Sequence, residues 1–388
     1  MDKVRFGIIG LGNMGSTYLG MFENGMIKDG VVSAICDINP EKLKAAEAKI
    51  SREGVLSFIK YEDMLSSGAV DAIMIETPHY IHPEIAIAAL ERGIHALCDK
   101  PAGVYTKQVR EMNEVSERSD AVFGMMFNQR TNVAYAKMRE MIAEGAIGSL
   151  QRVSWIITDW FRTQYYYDSG NWRATWAGEG GGVLINQCPH QIDLISWIVG
   201  EQPKAVRGFC KYGAWHDVEV EDEVTAYFEY ENGATGTFIT TTGEAPGTNR
   251  LEISGTGGKL LAEDGKLTYY KNLTDSAEHS RCSTEGFKKP KCEICEVECP
   301  GESTGHAGII NNFIGKILGL EELLAPGTSG INGVDLMNAI ELSGWQDGKR
   351  VTLPTDEELY LELLNEKRKT SRLKCGIERA AASTEGSY

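Results

Sequence analysis

The stretch that most restricts the fold lies at the start of the chain. Val4, Phe6, Ile8 and Ile9 make residues 3–9 read as a buried strand, and it runs straight into Gly10-Leu11-Gly12-Asn13-Met14-Gly15 and a helix-compatible segment. A lone G-x-G-x-x-G is weak, but one that leaves a strand and opens a helix gives each glycine a task. Gly10 makes the tight turn, Gly12 lets a pyrophosphate approach the backbone, and Gly15 lets helix and strand pack closely. Phosphates would then meet the free N–H groups of the first helical turn, at Asn13 and Met14. A second strand, 31–36, ends at Asp37, close to the expected interval of about 20 residues. A carboxylate there accepts both ribose hydroxyls and repels a 2′-phosphate, which favours NAD; a neighbouring loop able to hold a phosphate would admit NADP. The competing reading of Asp37 is a cap for the helix after Pro40.

Strands and helices then alternate: helix 40–50, a strand near Leu56, strand 70–76, helix 83–92, strand 95–98, helix 107–118 and strand 121–127. Runs apolar on both faces and joined this way make a parallel, doubly wound sheet, which binds ligands off the carboxyl ends of its strands. Gly12, Asp37, Thr77, Lys100 and Asn128 all fall at such ends. Lys100 lies between a strand and a proline, so it points into the cleft rather than along a solvated face. Beside a nicotinamide its pKa would fall, and it would hydrogen-bond or deprotonate a substrate hydroxyl. The plainer reading is a surface lysine.

The middle of the chain carries a second signal, Gly180-Gly181-Gly182 followed by an apolar helical stripe. Asn186, His190 and Asp193 are spaced i, i+4, i+7 and so project from one helix face. Pro189 bends or interrupts that helix and leaves a carbonyl free. A histidine oriented by a carboxylate is suited to moving a proton, and Asp193 is the candidate orienter; the plainer reading is a core histidine satisfied by Asp193. Ahead of this element lies an aromatic, arginine-bearing loop, 160–176. Arg162, Tyr165, Trp172 and Arg173 suit the faces and hydroxyls of a sugar ring, although such aromatics also pack at interfaces.

From Lys204 the pattern turns β-rich, with strands 205–212, 223–230, 234–241, 250–254 and 267–271 and an Asn232-Gly233 turn, as in an open antiparallel sheet. Residues 273–305 read as a flexible, polar insertion. Its Cys282, Cys292, Cys295 and Cys299, with a C-x-x-C pair among them, offer a zinc site as the alternative, but free thiols are the default reading and no metal is expected. The domains expected are 1–128 for the dinucleotide, 129–355 for substrate and self-association, and 356–388 for a charged helix and a frayed tail over 379–388. A net charge of −16 argues against nucleic acid as a partner. No apolar run reaches membrane-spanning length, no signal-peptide pattern follows Met1, and nine cysteines fit a reducing compartment, so a cytoplasmic protein is expected.

Gly10 to Gly15, Thr77-Pro78 with His82, Asp99-Lys100-Pro101, Gly145-Ala146-Ile147-Gly148, and Gly180-Gly181-Gly182 with His190 and Asp193 occur together in this order. The set resembles the Gfo/Idh/MocA oxidoreductases, the glucose–fructose oxidoreductase and inositol dehydrogenase family, over residues 3–355. The resemblance implies an N-terminal Rossmann domain and a C-terminal open, mainly antiparallel sheet with helices on one face. It implies NAD held by the glycine turn with Asp37, Thr77, Pro78, His82, Asp99, Lys100, Asn128 and Arg173, a sugar or polyol substrate, and a homo-oligomer formed through the second sheet. In that family the lysine of a Glu-Lys-Pro motif works beside an Asp and a His four residues apart; Lys100 and His190 match two of these. Asp99 replaces the usual Glu, and Asn186 replaces the usual Asp, so any carboxylate role passes to Asp193 or disappears. Three functions follow: a dehydrogenase, a glycoside-cleaving enzyme working through a transient keto-sugar, and a non-catalytic NAD-binding regulator.

Overall fold

The computed structural model describes residues 3–372 and contains two sheets. The first has six strands, β1 (Val4–Ile9), β2 (Gly30–Cys36), β3 (Leu56–Phe58), β4 (Ala72–Ile75), β5 (His95–Cys98) and β6 (Phe123–Met125), in the order β3-β2-β1-β4-β5-β6. Every neighbouring pair is parallel. β4 is buried at all its positions and β1 at all but Arg5, which is why both read as continuous apolar runs rather than as alternation. The strand order reverses between β1 and β4, and at such a switch point a crevice opens beyond the carboxyl ends.

The second sheet has nine strands: β7 (Leu150–Ile157), β8 (Ala205–Tyr212), β9 (Glu221–Glu229), β10 (Thr235–Thr241), β11 (Asn249–Gly255), β12 (Gly258–Glu263), β13 (Lys266–Asn272), β14 (Cys292–Glu296) and β15 (Val351–Thr352). They run in the order β14-β13-β12-β11-β7-β10-β9-β8-β15, and only β7 and β10 pair in parallel. Burial alternates along the strands. One face carries Val153, Trp155, Ile157, Phe228, Phe238 and Leu251 in the core, while Phe209 and Tyr227 stay exposed on the other. The helix Gly330–Trp345 packs on the inner face at β8, where the Gly208 N–H donates to Ser343 Oγ at 2.8 Å. A side chain at 208 would strike the Ile340 carbonyl, so glycine is needed there. The helix Gly305–Ile317 returns to the first sheet and sets Phe313 against Phe6, ring centroids 6.3 Å apart.

The stretch expected as a loose insertion is more ordered than its composition suggests. It holds the helix Ser276–Cys282 and the edge strand β14, in which Cys295 lies opposite Tyr269 of β13. β14 is exposed at all of its positions and so carries no apolar pattern to reveal it. Cys282, Cys292 and Cys295 are exposed free thiols, and Cys299 is half-buried. The charged helix is present as Glu357–Lys369, whereas the tail expected over 379–388 lies outside the described residues. Among the described residues no helix is long and apolar enough to cross a membrane.

Candidate active site

One half of the cleft is shaped by the turn after β1. Gly10 has φ +94°, and a Cβ there would stand 2.5 Å from the Glu76 carbonyl oxygen. A Cβ on Gly15 would stand 1.9 Å from the Gly10 carbonyl oxygen, so this helix meets its strand only through glycine. Gly12 is different, since a Cβ would meet nothing within 4 Å. It opens the helix Asn13–Glu23, where no side chain caps the start and no acidic residue occupies the first turn. The start of this helix therefore offers a place suited to an anion. Asp37 is 7% exposed; its Oδ2 accepts from the Leu11 N–H at 2.7 Å and its Oδ1 from the Asn39 N–H at 2.8 Å. The carboxylate thus holds the glycine turn from the end of β2, with Ile38 beside it 85% exposed as a face an adenine ring would cover.

At the ends of β4 and β6 two buried side-chain oxygens have no hydrogen-bond partner, Thr77 Oγ1 and Asn128 Oδ1. Orphans of this kind are costly in a closed core and natural where a ligand completes them. Together with the open face at Gly12 they fit a dinucleotide laid along the strand ends. Burial, and then the neighbouring Asp99, push the Glu76 carboxyl well above its usual range. Asp99 itself accepts the Lys100 backbone N–H at 2.7 Å. Pro78 is exposed and starts the turn His79–Ile81.

His82, expected at the cofactor, is engaged with backbone carbonyls. It is 1% exposed, with Nδ1 2.8 Å from the Pro101 carbonyl and Nε2 2.6 Å from the Thr77 carbonyl. It ties two strand-end loops together, and its ring is spent on backbone. Arg173, expected at the cofactor, lies near enough to Lys100 to lower that lysine's pKa. Its guanidinium stacks over Trp172 and Tyr166, each at 4.7 Å, and donates to the Tyr166 hydroxyl at 2.9 Å.

The other half of the cleft is made of side chains. Lys100 follows β5 and precedes the cis bond to Pro101, and its Nζ donates to the Asn186 backbone carbonyl at 2.8 Å. Burial lowers its pKa, opposed first by Asp99 and then by Glu179. His190 lies in the first turn of the helix Pro189–Val199, edge-on to Phe127 at 6.4 Å, with its buried Nδ1 unpartnered. Burial, and then the charge of Lys100, hold it well below the usual histidine range, so it favours the neutral form.

The continuous helical face read from Asn186, His190 and Asp193 does not form. One short helix ends at Asn186 and the next starts at Pro189, so spacing counted across Gln187 and Cys188 no longer sets direction. Asp193 is 4% exposed, and both its oxygens go to Arg130, at 2.8 and 2.6 Å. Arg130 also bonds the Leu324 carbonyl and Ser329 Oγ, so the pair locks the crossing segment to the helix rather than orienting His190. The Asn186 amide donates to the Tyr166 hydroxyl at 3.1 Å and to Glu179 Oε1.

Glu179 and Tyr166 are the residues the spacing did not single out. Glu179 is buried, and burial raises its carboxyl to about 7 despite Arg173 and the Ala174 N–H. Its signal in the sequence is a lone charge between Gly178 and Gly180 in an otherwise small, apolar run. In the aromatic loop the hydroxyl that gathers donors is that of Tyr166, whereas its neighbour Tyr165 is 44% exposed. Arg162 stacks over Tyr166 at 5.3 Å, and Trp172 stands edge-on to His79 at 5.8 Å. The arrangement joins a dinucleotide cradle to a lysine of lowered proton affinity and a neutral histidine.

Comparison with known proteins points the same way. A model described as the oxidoreductase family with an NAD-binding Rossmann fold matches residues 4–127, and the GFO/IDH/MocA C-terminal domain matches residues 135–261. The chain is similar to rhizopine catabolism protein MocA of Rhizobium meliloti, 26% identical over 208 residues; the match spans 53% of this chain and 61% of that protein, less than two thirds of its length. It is also similar to levoglucosan dehydrogenase of Pseudarthrobacter phenanthrenivorans, 28% identical over 298 residues, 67% of this chain and 74% of that protein. Among solved structures, the WlbA dehydrogenase of Bordetella pertussis in complex with NADH and UDP-GlcNAcA superposes with a TM-score of 0.74 at 27% identity, covering 91% of this chain and 100% of that one.

Proposed function

This chain belongs to the Gfo/Idh/MocA oxidoreductases, and on that premise we propose that it oxidises a secondary hydroxyl of a sugar, inositol or glycoside, or reduces the matching ketone, with NAD. The observation that carries the reading is Lys100, half-buried at the end of β5 with its Nζ on the Asn186 carbonyl and its charge felt by His190. When bound, the nicotinamide takes or gives the hydride, which no side chain can do. The chain's own task is the hydroxyl proton. A lysine whose proton affinity is lowered by burial, beside a neutral imidazole, can take that proton during oxidation and return it during reduction. Asn186 and Tyr166 would fix ring hydroxyls, and Trp172 would cover an apolar ring face. Asp37 is the basis for NAD over NADP, because its carboxylate would repel a 2′-phosphate at the ribose.

The reading extends to a cytoplasmic homo-oligomer that buries the open face of the second sheet around Phe209 and Tyr227, both exposed. Light scattering on the purified protein checks the oligomer; a monomer at micromolar concentration would remove it.

The functional test is one incubation series of protein, NAD and a panel of sugars, inositols and aryl glycosides, following nicotinamide reduction and aglycone release together. Reduction without release is the expected result. Release with little reduction would shift the activity to glycoside cleavage through a transient keto-sugar. NAD binding with silence in both channels would overturn the oxidoreductase reading in favour of a binding protein.

A further inference from the structure

Glu179 is 1% exposed and lies outside any regular element, yet its carboxylate is not paired as a structural charge would be. Asp193, equally buried, has both oxygens on one guanidinium. For Glu179 the nearest guanidinium nitrogen, of Arg173, is 3.9 Å away and turned to the Tyr166 hydroxyl. What Glu179 has instead are N–H donors on both oxygens: the Ala174 N–H on Oε2 and the Asn186 amide on Oε1. Such a set is built for the ionised form, although burial opposes it. The groups facing the carboxylate are Arg173, Lys100, Asn186, Tyr167 and, from β9, Glu221; His79 Nδ1 donates to the residue's backbone carbonyl at 3.1 Å.

Asn186 connects this carboxylate to the reacting site. Its two amide hydrogens are spent on Glu179 and Tyr166, which fixes the amide plane and turns Oδ1 away from Glu179. Its backbone carbonyl holds Lys100 Nζ. We infer that Glu179 is a positioning residue for the proton transfer: it fixes the Asn186 amide and supplies the negative charge that keeps Lys100 ready to hold a proton. The inference rests on the oxidoreductase reading for the purpose of that proton. An aspartate at 186 would set two carboxyl groups in contact, so asparagine at 186 and glutamate at 179 belong together.

The test is an exchange of the two groups. Glu179→Gln and Asn186→Asp should each lower kcat by about tenfold or more with NADH affinity retained. The double variant restores one carboxylate and one amide in contact, and its kcat should exceed that of either single variant. A double variant that loses the product of the two single effects would overturn the proposal. A readout that needs neither turnover nor a foldable Glu179 variant is infrared titration of glutamate carboxyl groups in the wild type and in Lys100→Met. Loss of the lysine charge should move the carboxyl that titrates near neutrality to higher pH, and an unmoved midpoint would overturn the proposal. If the wild type oxidises no sugar or polyol while that midpoint moves, the functional reading fails and the Glu179–Lys100 link stands.

Discussion

The two halves of the cleft are made of different materials. The dinucleotide side is backbone: Gly10 and Gly15 bring main chain against main chain, Gly12 leaves space open, and Asp37 holds the turn through the Leu11 N–H. The substrate side is side chains brought together from distant places, with Lys100 meeting Asn186 across 86 positions and His79 meeting Glu179 across 100. The difference teaches where chemistry is tunable. A backbone cradle fixes a shape whatever the pH, whereas a cluster of buried ionisable groups shifts its behaviour with each neighbour.

The largest effect expected separates structure from chemistry within the side-chain half. Asp193→Asn breaks the buried pair with Arg130 and should cost about 3–5 kcal/mol in chemical denaturation, because the guanidinium is left uncompensated. Full stability with lost turnover would instead return Asp193 to a role at His190.

The next effect is one of pH. The folded-state pKa of Glu179 is raised from 4.5 to about 7, so the folded protein keeps that proton after the unfolded chain has released it. This group's contribution is therefore most favourable below pH 4.5, declines as pH rises toward about 7, and is flat above. The loss across that window is about 3 kcal/mol, and Glu179→Gln should lack it. Denaturation midpoints measured over that range in both proteins check this, and parallel curves would show that Glu179 is already ionised throughout.

The smallest effect belongs to the backbone half. In Gly15→Ala the new methyl is forced toward the Gly10 carbonyl, an overpacking worth about 1–3 kcal/mol. It should weaken NADH binding, read by fluorescence, while leaving the near-neutral carboxyl titration in place. A shift in that titration would mean that the two halves are not separable.

Legibility in the sequence follows the same division. The parallel sheet, the glycine turn and the place of Asp37 and Lys100 at strand ends were readable because local rules govern them: apolar runs for buried strands and glycine where main chain must touch. Asn186 was misplaced because i, i+4, i+7 spacing sets direction only along an unbroken helix, and this one stops between Asn186 and Pro189. Asp193, on the same helix as His190, was misread because both its oxygens go to Arg130, 63 positions away in the sequence. Glu179 went unnoticed because its partners are a side-chain amide and a main-chain N–H, which leave no charge pattern, although an acid enclosed by glycines was there to be seen. Arg130, His82 and Tyr166 owe their roles to contacts across the fold. β14 was hidden for the opposite reason, being exposed along its whole length.

The most direct test is to measure NADH affinity and turnover side by side in Lys100→Met, using the substrate found by the incubation series. A backbone cradle with separate proton chemistry requires NADH binding to be retained while kcat falls by about 10²–10⁴-fold. Turnover at the wild-type rate, or loss of NADH binding together with activity, would contradict it.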